Sequence, residues 1–108
     1  MAKSEIEQKD IKAKNLGAVC KIEVDDAGTP KIIYFKKPHR YTIGLYYAKR
    51  ESNKIEAIEF LFKQTALSEV SDMEILSAER DDLFYAAIGE VDTLLNVVEV
   101  KKSKSQTL

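Results

Sequence analysis

At Pro38 the apolar pattern of the chain changes its period. Proline cannot donate to a strand ladder, so the strand before it is expected to end there. A switch from a two-residue to a 3.6-residue period marks sheet giving way to helix. Upstream, Cys20, Ile22 and Val24 share one parity while Val19, Lys21 and Glu23 share the other, the pattern of a half-buried strand. Asp25-Asp26-Ala27-Gly28-Thr29 is dense in turn formers. Lys31-Ile32-Ile33-Tyr34-Phe35-Lys36 is β-branched and aromatic, a second strand. The expected unit is an antiparallel hairpin. Two strands alone are marginal, so their apolar face must pack on helices or on another chain. Both edges are expected to be open, which favours strand addition by a partner or a second copy.

Downstream, Ile43, Tyr46, Tyr47 and Arg50 recur as one face of a helix does. Asn53 caps a second helix, with Glu56 three positions on, and Ile55, Ile58, Leu61 and Phe62 form its stripe through about Leu67. Between Ser68 and Ser77, Met73, Ile75 and Leu76 are placed to tuck back on the core. Ser77 caps a last helix expected over Ala78 to Asn96, with the stripe Phe84, Ala87, Ile88, Val91, Leu94, Leu95 and Val98. The fold class is therefore α+β, an N-terminal antiparallel β-hairpin followed by three α-helices. Residues 18–100 form a single domain, in keeping with a length of 108 residues. Residues 1–17 are a polar segment, a short helix or a loosely held tail, and 101–108 read as a disordered basic tail. Gly44 and Gly89 fall inside expected helices, where each costs about 1 kcal/mol against Ala. Close helix–helix approach is the expected reason.

Charge and composition exclude several functions. Lys and Arg number 17 against 18 Asp and Glu, a balance that argues against a generic polyanion binder and against attachment to an anionic membrane. The single cysteine, Cys20, makes no internal disulfide and sits in an apolar alternation as an inert thiol. No apolar run approaches the ~20 residues of a membrane helix, and the N-terminus lacks the apolar core of a secretory signal. A cytoplasmic location is the expectation. The only histidine, His39, has no His or Cys at zinc spacing and no orienting partner for general-base work. The glycines are isolated, so no phosphate-cradling loop exists. Asp25 and Asp26 lack the ligand series of a calcium loop. Glu79, Asp81 and Asp82 stand where first-turn acids stabilise a helix. Neither an enzyme, a cofactor nor a metal is expected.

One constellation reads two ways. Lys36, Lys37, His39 and Arg40 crowd the bend around Pro38, just before a helix N-terminus that favours anions. With Lys49, and with Tyr41, Tyr46 and Tyr47 as stacking surfaces, they could contact phosphate or nucleic acid in a small regulatory protein. Against that, Lys49, Arg50 and Lys54 are answered by Glu51, Glu56 and Glu59, which leaves a solvated connector without a broad single-sign field.

The stretches "IEVDDAGTPKIIYFKKPHRYTIGLYYA", "KIEAIEFLFKQTAL" and "DDLFYAAIGEVDTLL" resemble small phage tail assembly chaperone-like proteins of Bacteroides-type phages and prophages. The resemblance rests on Tyr34, Phe35, Lys36, Lys37 and Pro38, on Ile58 and Leu61, and on Asp82, Leu83 and Phe84. It covers Val19 to Leu95. Such proteins often carry a Trp-containing, Gly-Gly-Asp-Glu-like segment where this chain has Thr65 to Asp72 and no Trp. The resemblance implies a non-enzymatic role, that of binding a tape-measure protein and keeping it from aggregating, and a homo-oligomer. The partner surface expected on that basis comprises Tyr34, Phe35, Tyr46, Tyr47 and Phe62.

Overall fold

In the computed structural model, which describes residues 2–96, a helix α1 (Ala2–Asn15) precedes the hairpin strands β1 (Ala18–Asp26) and β2 (Thr29–Lys36). Helices α2 (Arg40–Ser52) and α3 (Lys54–Thr65) follow. Two short 3-10 turns, Met73–Leu76 and Ala78–Arg80, lead to α4 (Asp81–Ile88) and α5 (Val91–Asn96). The α+β class and the N-terminal hairpin are those the sequence implies. The expected tail at 101–108 and Val98 lie outside the described residues.

Ala27 and Gly28 join the strands at φ 52° and 91°. Two successive positive φ angles are the mark of the tight hairpin turn whose twist matches that of the strands. The Asp25 carboxylate accepts the Gly28 N–H at 3.0 Å. Ile22 stands opposite Ile33 and Val24 opposite Lys31. At the far end Cys20 faces Phe35 but Ala18 faces Lys36, so Val19 is an extra residue, a bulge.

Both faces of β2 are covered. Ile33 and Phe35 enter the main core with Ile22, Val24, Tyr46, Ile58, Leu61 and Phe62. Ile32 and Tyr34 face the other way, into a smaller cluster with Ala13 of α1 and Val70. The unbroken run Ile32-Ile33-Tyr34-Phe35 is the pattern of a strand buried on two sides.

The expectation of two open edges is corrected at β2. Residues 66–72 run along its outer edge and take up its backbone groups. Ile32 N–H donates to the Asp72 carboxylate at 2.8 Å, and Asp72 N–H returns a bond to the Ile32 carbonyl at 2.8 Å. Tyr34 N–H donates to the Ser71 hydroxyl, and Leu67 N–H donates to the Tyr34 carbonyl, each at 2.8 Å. A buried N–H or C=O without a partner is costly, so this segment completes the sheet as a third strand would.

The Asn53 side chain accepts the Glu56 N–H at 3.1 Å and starts α3, as the spacing of the two residues implies. Ser77 caps only the 3-10 turn that precedes α4, through a 3.2 Å bond from Glu79 N–H. The last helix is not continuous. It breaks at Gly89-Glu90, where Glu90 N–H bonds the Ala87 carbonyl at 3.0 Å and Thr93 N–H the Glu90 carbonyl at 2.9 Å, a tightening to three-residue spacing. Ala87, Val91 and Leu94 still reach the core. Neither Gly44 nor Gly89 marks a close helix approach: a Cβ at Gly44 would meet nothing within 4 Å, and one at Gly89 only the Ala86 carbonyl at 3.7 Å. Among the described residues no helix is long and apolar enough to cross a membrane.

Candidate functional site

The bend at Pro38 gathers most of the cations that the sequence singles out. Pro38 is buried and turns the chain from β2 into α2. His39 is the N-cap: its backbone is extended, and its Nδ1 accepts the Tyr41 N–H at 3.1 Å. That bond gives the imidazole a structural task and fixes its free nitrogen as the donor when the ring is neutral. Lys36, Lys37, His39 and Arg40 line an open cleft of about 990 Å³, closed on one side by Gln64 and Thr65 of α3. The Thr65 hydroxyl is already committed to the Leu61 carbonyl at 2.7 Å. Among the described residues, Lys36, Lys37 and Arg40 have no carboxylate within ion-pair distance. Lys49 is not in this cleft. Its ammonium stands 5.3 Å from the centre of the Phe60 ring, a cation–π contact farther along α2.

The aromatic residues separate into core and surface. Tyr34, Phe35, Tyr46 and Phe62 are buried, so in this conformation their rings form no partner surface. Phe35 and Phe62 pack at 5.0 Å between ring centres, and Phe62 meets Phe84 edge-on at 6.4 Å. Tyr47 remains about half exposed, edge-on to Tyr46 at 5.2 Å. Among the described residues the most exposed large apolar side chain is Tyr41, at 70%, which the sequence singles out only as a stacking surface beside the basic bend. Tyr41, Gly44, Leu45 and Ala48 recur at three, four and seven, so they share a face of α2 turned away from Tyr46. The signal was present as a second apolar stripe on the same helix.

Other titratable groups hold structure together. Burial pushes the Cys20 thiol up to about 11, which keeps it protonated and unreactive at neutral pH. Arg80, unremarked in the sequence, reaches Asp26 at 2.9 Å and Asp82 at 3.1 Å, and thereby ties the end of β1 to the start of α4. The Arg80 guanidinium holds the Asp82 carboxyl below its usual range. Lys31 and Glu74 pair at 2.6 Å beside them. On the other face Tyr34 donates its hydroxyl to Asp10 at 2.5 Å, and Lys21 reaches the same carboxylate at 3.1 Å. Among the described residues no cluster of His, Cys, Asp and Glu could hold a metal ion.

The site thus consists of two adjoining surfaces on α2, a cationic cleft at its N-terminus and an apolar strip along its outer face. Such an arrangement offers charge and apolar area for contact, and no nucleophile–base pair is assembled among these groups. In comparisons with known proteins the chain matches no family model, no curated protein and no solved structure.

Proposed function

We propose that this protein is a non-enzymatic protein-interaction module of phage or prophage origin, a tail-assembly-chaperone-like protein that holds segments of a tape-measure protein. The observation that carries this reading is the outer face of α2. Tyr41 is 70% exposed there, with Gly44 and Ala48 also exposed and Leu45 partly so. Apolar groups at helical spacing that no described residue covers suit an amphipathic helix laid alongside. Arg40 and Lys49, which flank the strip, suit a partner with acidic borders. The test is fluorescence anisotropy with labelled peptides that tile a tape-measure protein. Binding in the micromolar range is expected for some of them, weakened at least tenfold by Leu45→Glu or Tyr41→Ser and only mildly by added salt. No binding by any peptide would remove the reading.

A second reading rests on the convergence of Lys36, Lys37, His39 and Arg40 on one cleft. It makes the protein a small nucleic-acid-associated regulator. Phosphate contacts release counterions, so affinity for an oligonucleotide would fall steeply with salt. Replacement of Lys36 or Lys37 by Ala would lower that salt slope by about one each. A flat salt dependence excludes it.

A further inference from the structure

The seal along β2 determines where the backbone of β1 points. Ile32 and Tyr34 direct both N–H and C=O toward residues 66–72, so Lys31, Ile33 and Phe35 face β1. Their partners Val24, Ile22 and Cys20 face β2 in return. Lys21, Glu23 and Asp25 therefore direct their N–H and C=O outward, and no described residue bonds those groups. Their side chains are exposed. Lys21 shares Asp10 with Tyr34, whereas Glu23 has no ion-pair partner among the described residues.

We propose that β1 pairs antiparallel with β1 of a second copy about a two-fold axis at Ile22, setting each Lys21 opposite the other copy's Glu23. The inference rests on the interaction-module reading and names one partner of that module, the chain itself. Charge and parity select the register. A shift of one residue sets inward groups against outward ones and breaks the ladder. An axis at Lys21 sets that ammonium against its own copy, and an axis at Glu23 does the same to the carboxylate. Like charges directly opposite destabilise a sheet, and opposite charges stabilise it. The axis at Ile22 gives two Lys–Glu pairs and no like pair, and it supplies Glu23 with the cation it lacks. The bulge at Val19 ends the ladder on one side and the turn after Asp26 ends it on the other. The product is a four-stranded sheet in the order β2-β1-β1-β2. Its outer strands are both sealed, so assembly closes at two copies and does not run on into a fibre.

Light scattering across a dilution series tests this. The wild-type chain is expected to be a dimer that dissociates on dilution. Glu23→Lys sets ammonium against ammonium twice and should weaken the dimer about tenfold. Adding Lys21→Glu to it restores opposite charges in the same register and should recover most of the loss. Glu23→Pro removes one outward N–H and leaves the β1–β2 ladder intact, so it should give a monomer with the wild-type circular dichroism spectrum. Wild-type monomer up to millimolar concentration would overturn the proposal, as would a dimer indifferent to Glu23→Pro. The two readings separate cleanly. A monomer that binds tape-measure peptides removes the pairing and keeps the module. A β1-paired dimer that binds none of them keeps the pairing and removes the tape-measure role.

Discussion

The Phe62 ring lies between Phe35 of β2 and Phe84 of α4 and is fully buried. Phe62→Ala should cost about 3–5 kcal/mol through lost burial and the cavity left behind. Against a total of ~5–15 kcal/mol for an ordinary domain, that brings the protein close to unfolding, which urea titration would measure. In the sequence Phe62, like Tyr34, Phe35 and Tyr46, reads as core or as partner surface, because periodicity identifies the apolar face of a helix but does not say what covers it. Ala27 presents the opposite opportunity. Its φ of 52° is a left-handed conformation that an L-side chain adopts at a cost of about 1–2 kcal/mol. Asn tolerates that region through local hydrogen bonding, so Ala27→Asn should raise stability by about 1 kcal/mol, read as a higher melting temperature.

At the level of elements, the hairpin, the bend at Pro38 and the cap at Asn53 were legible because each has a local cause. A turn, a missing N–H and a side-chain acceptor all act within a few residues. The segment 66–72 was not legible, because its role depends on contacts with β2 that lie far away in the chain. Its residues Leu67, Ser71 and Asp72 carry no periodicity. Only the strand they complete gives them order. The break at Gly89 was hidden for the converse reason, since the apolar stripe continues through it. Asp72→Ala should cost about 1–3 kcal/mol, because it leaves the N–H of buried Ile32 without its acceptor. Hydrogen exchange offers the specific readout: the Ile32 amide should lose its protection in the variant, and the Ile22 amide, inside the hairpin ladder, should keep more of its own.

Across the whole molecule, the cleft and the strip on α2 are joined to the sheet on one side, while α1 lies on the other. Among the described residues α1 buries only Ala13. Its polar attachment is Asp10, which accepts from Tyr34 and Lys21. The Tyr34 hydroxyl, chiefly, holds the Asp10 carboxyl below its ordinary value, and Lys21 and Lys14 act in the same direction. A depressed carboxyl stabilises the fold fully above its unfolded value near ~3.9 and loses that contribution as pH falls through the lower folded value. The Tyr34 hydroxyl is shifted upward, by burial first and by Asp10 second. Its contribution is present below ~10 and is lost at higher pH. Attachment of α1 should therefore hold steady between these limits and weaken below about pH 4. Amide exchange in α1 measured against pH would show this, and Tyr34→Phe should flatten the acid limb. The attachment is not legible in the sequence, because Asp10 and Tyr34 are brought together only when the helix folds back on the sheet.

The seal on β2 also has a consequence in time. A ribosome releases β2 well before it releases residues 66–72, so the nascent chain carries a bare, strongly apolar strand while α2 and α3 are being made. Lys31 and Lys36 bracket that strand, and charged flanking residues of this kind oppose strand-to-strand sticking. A transcript cut short before Leu67 would yield a chain that never covers the strand, and the cell would meet it as a substrate for its proteases and holding chaperones.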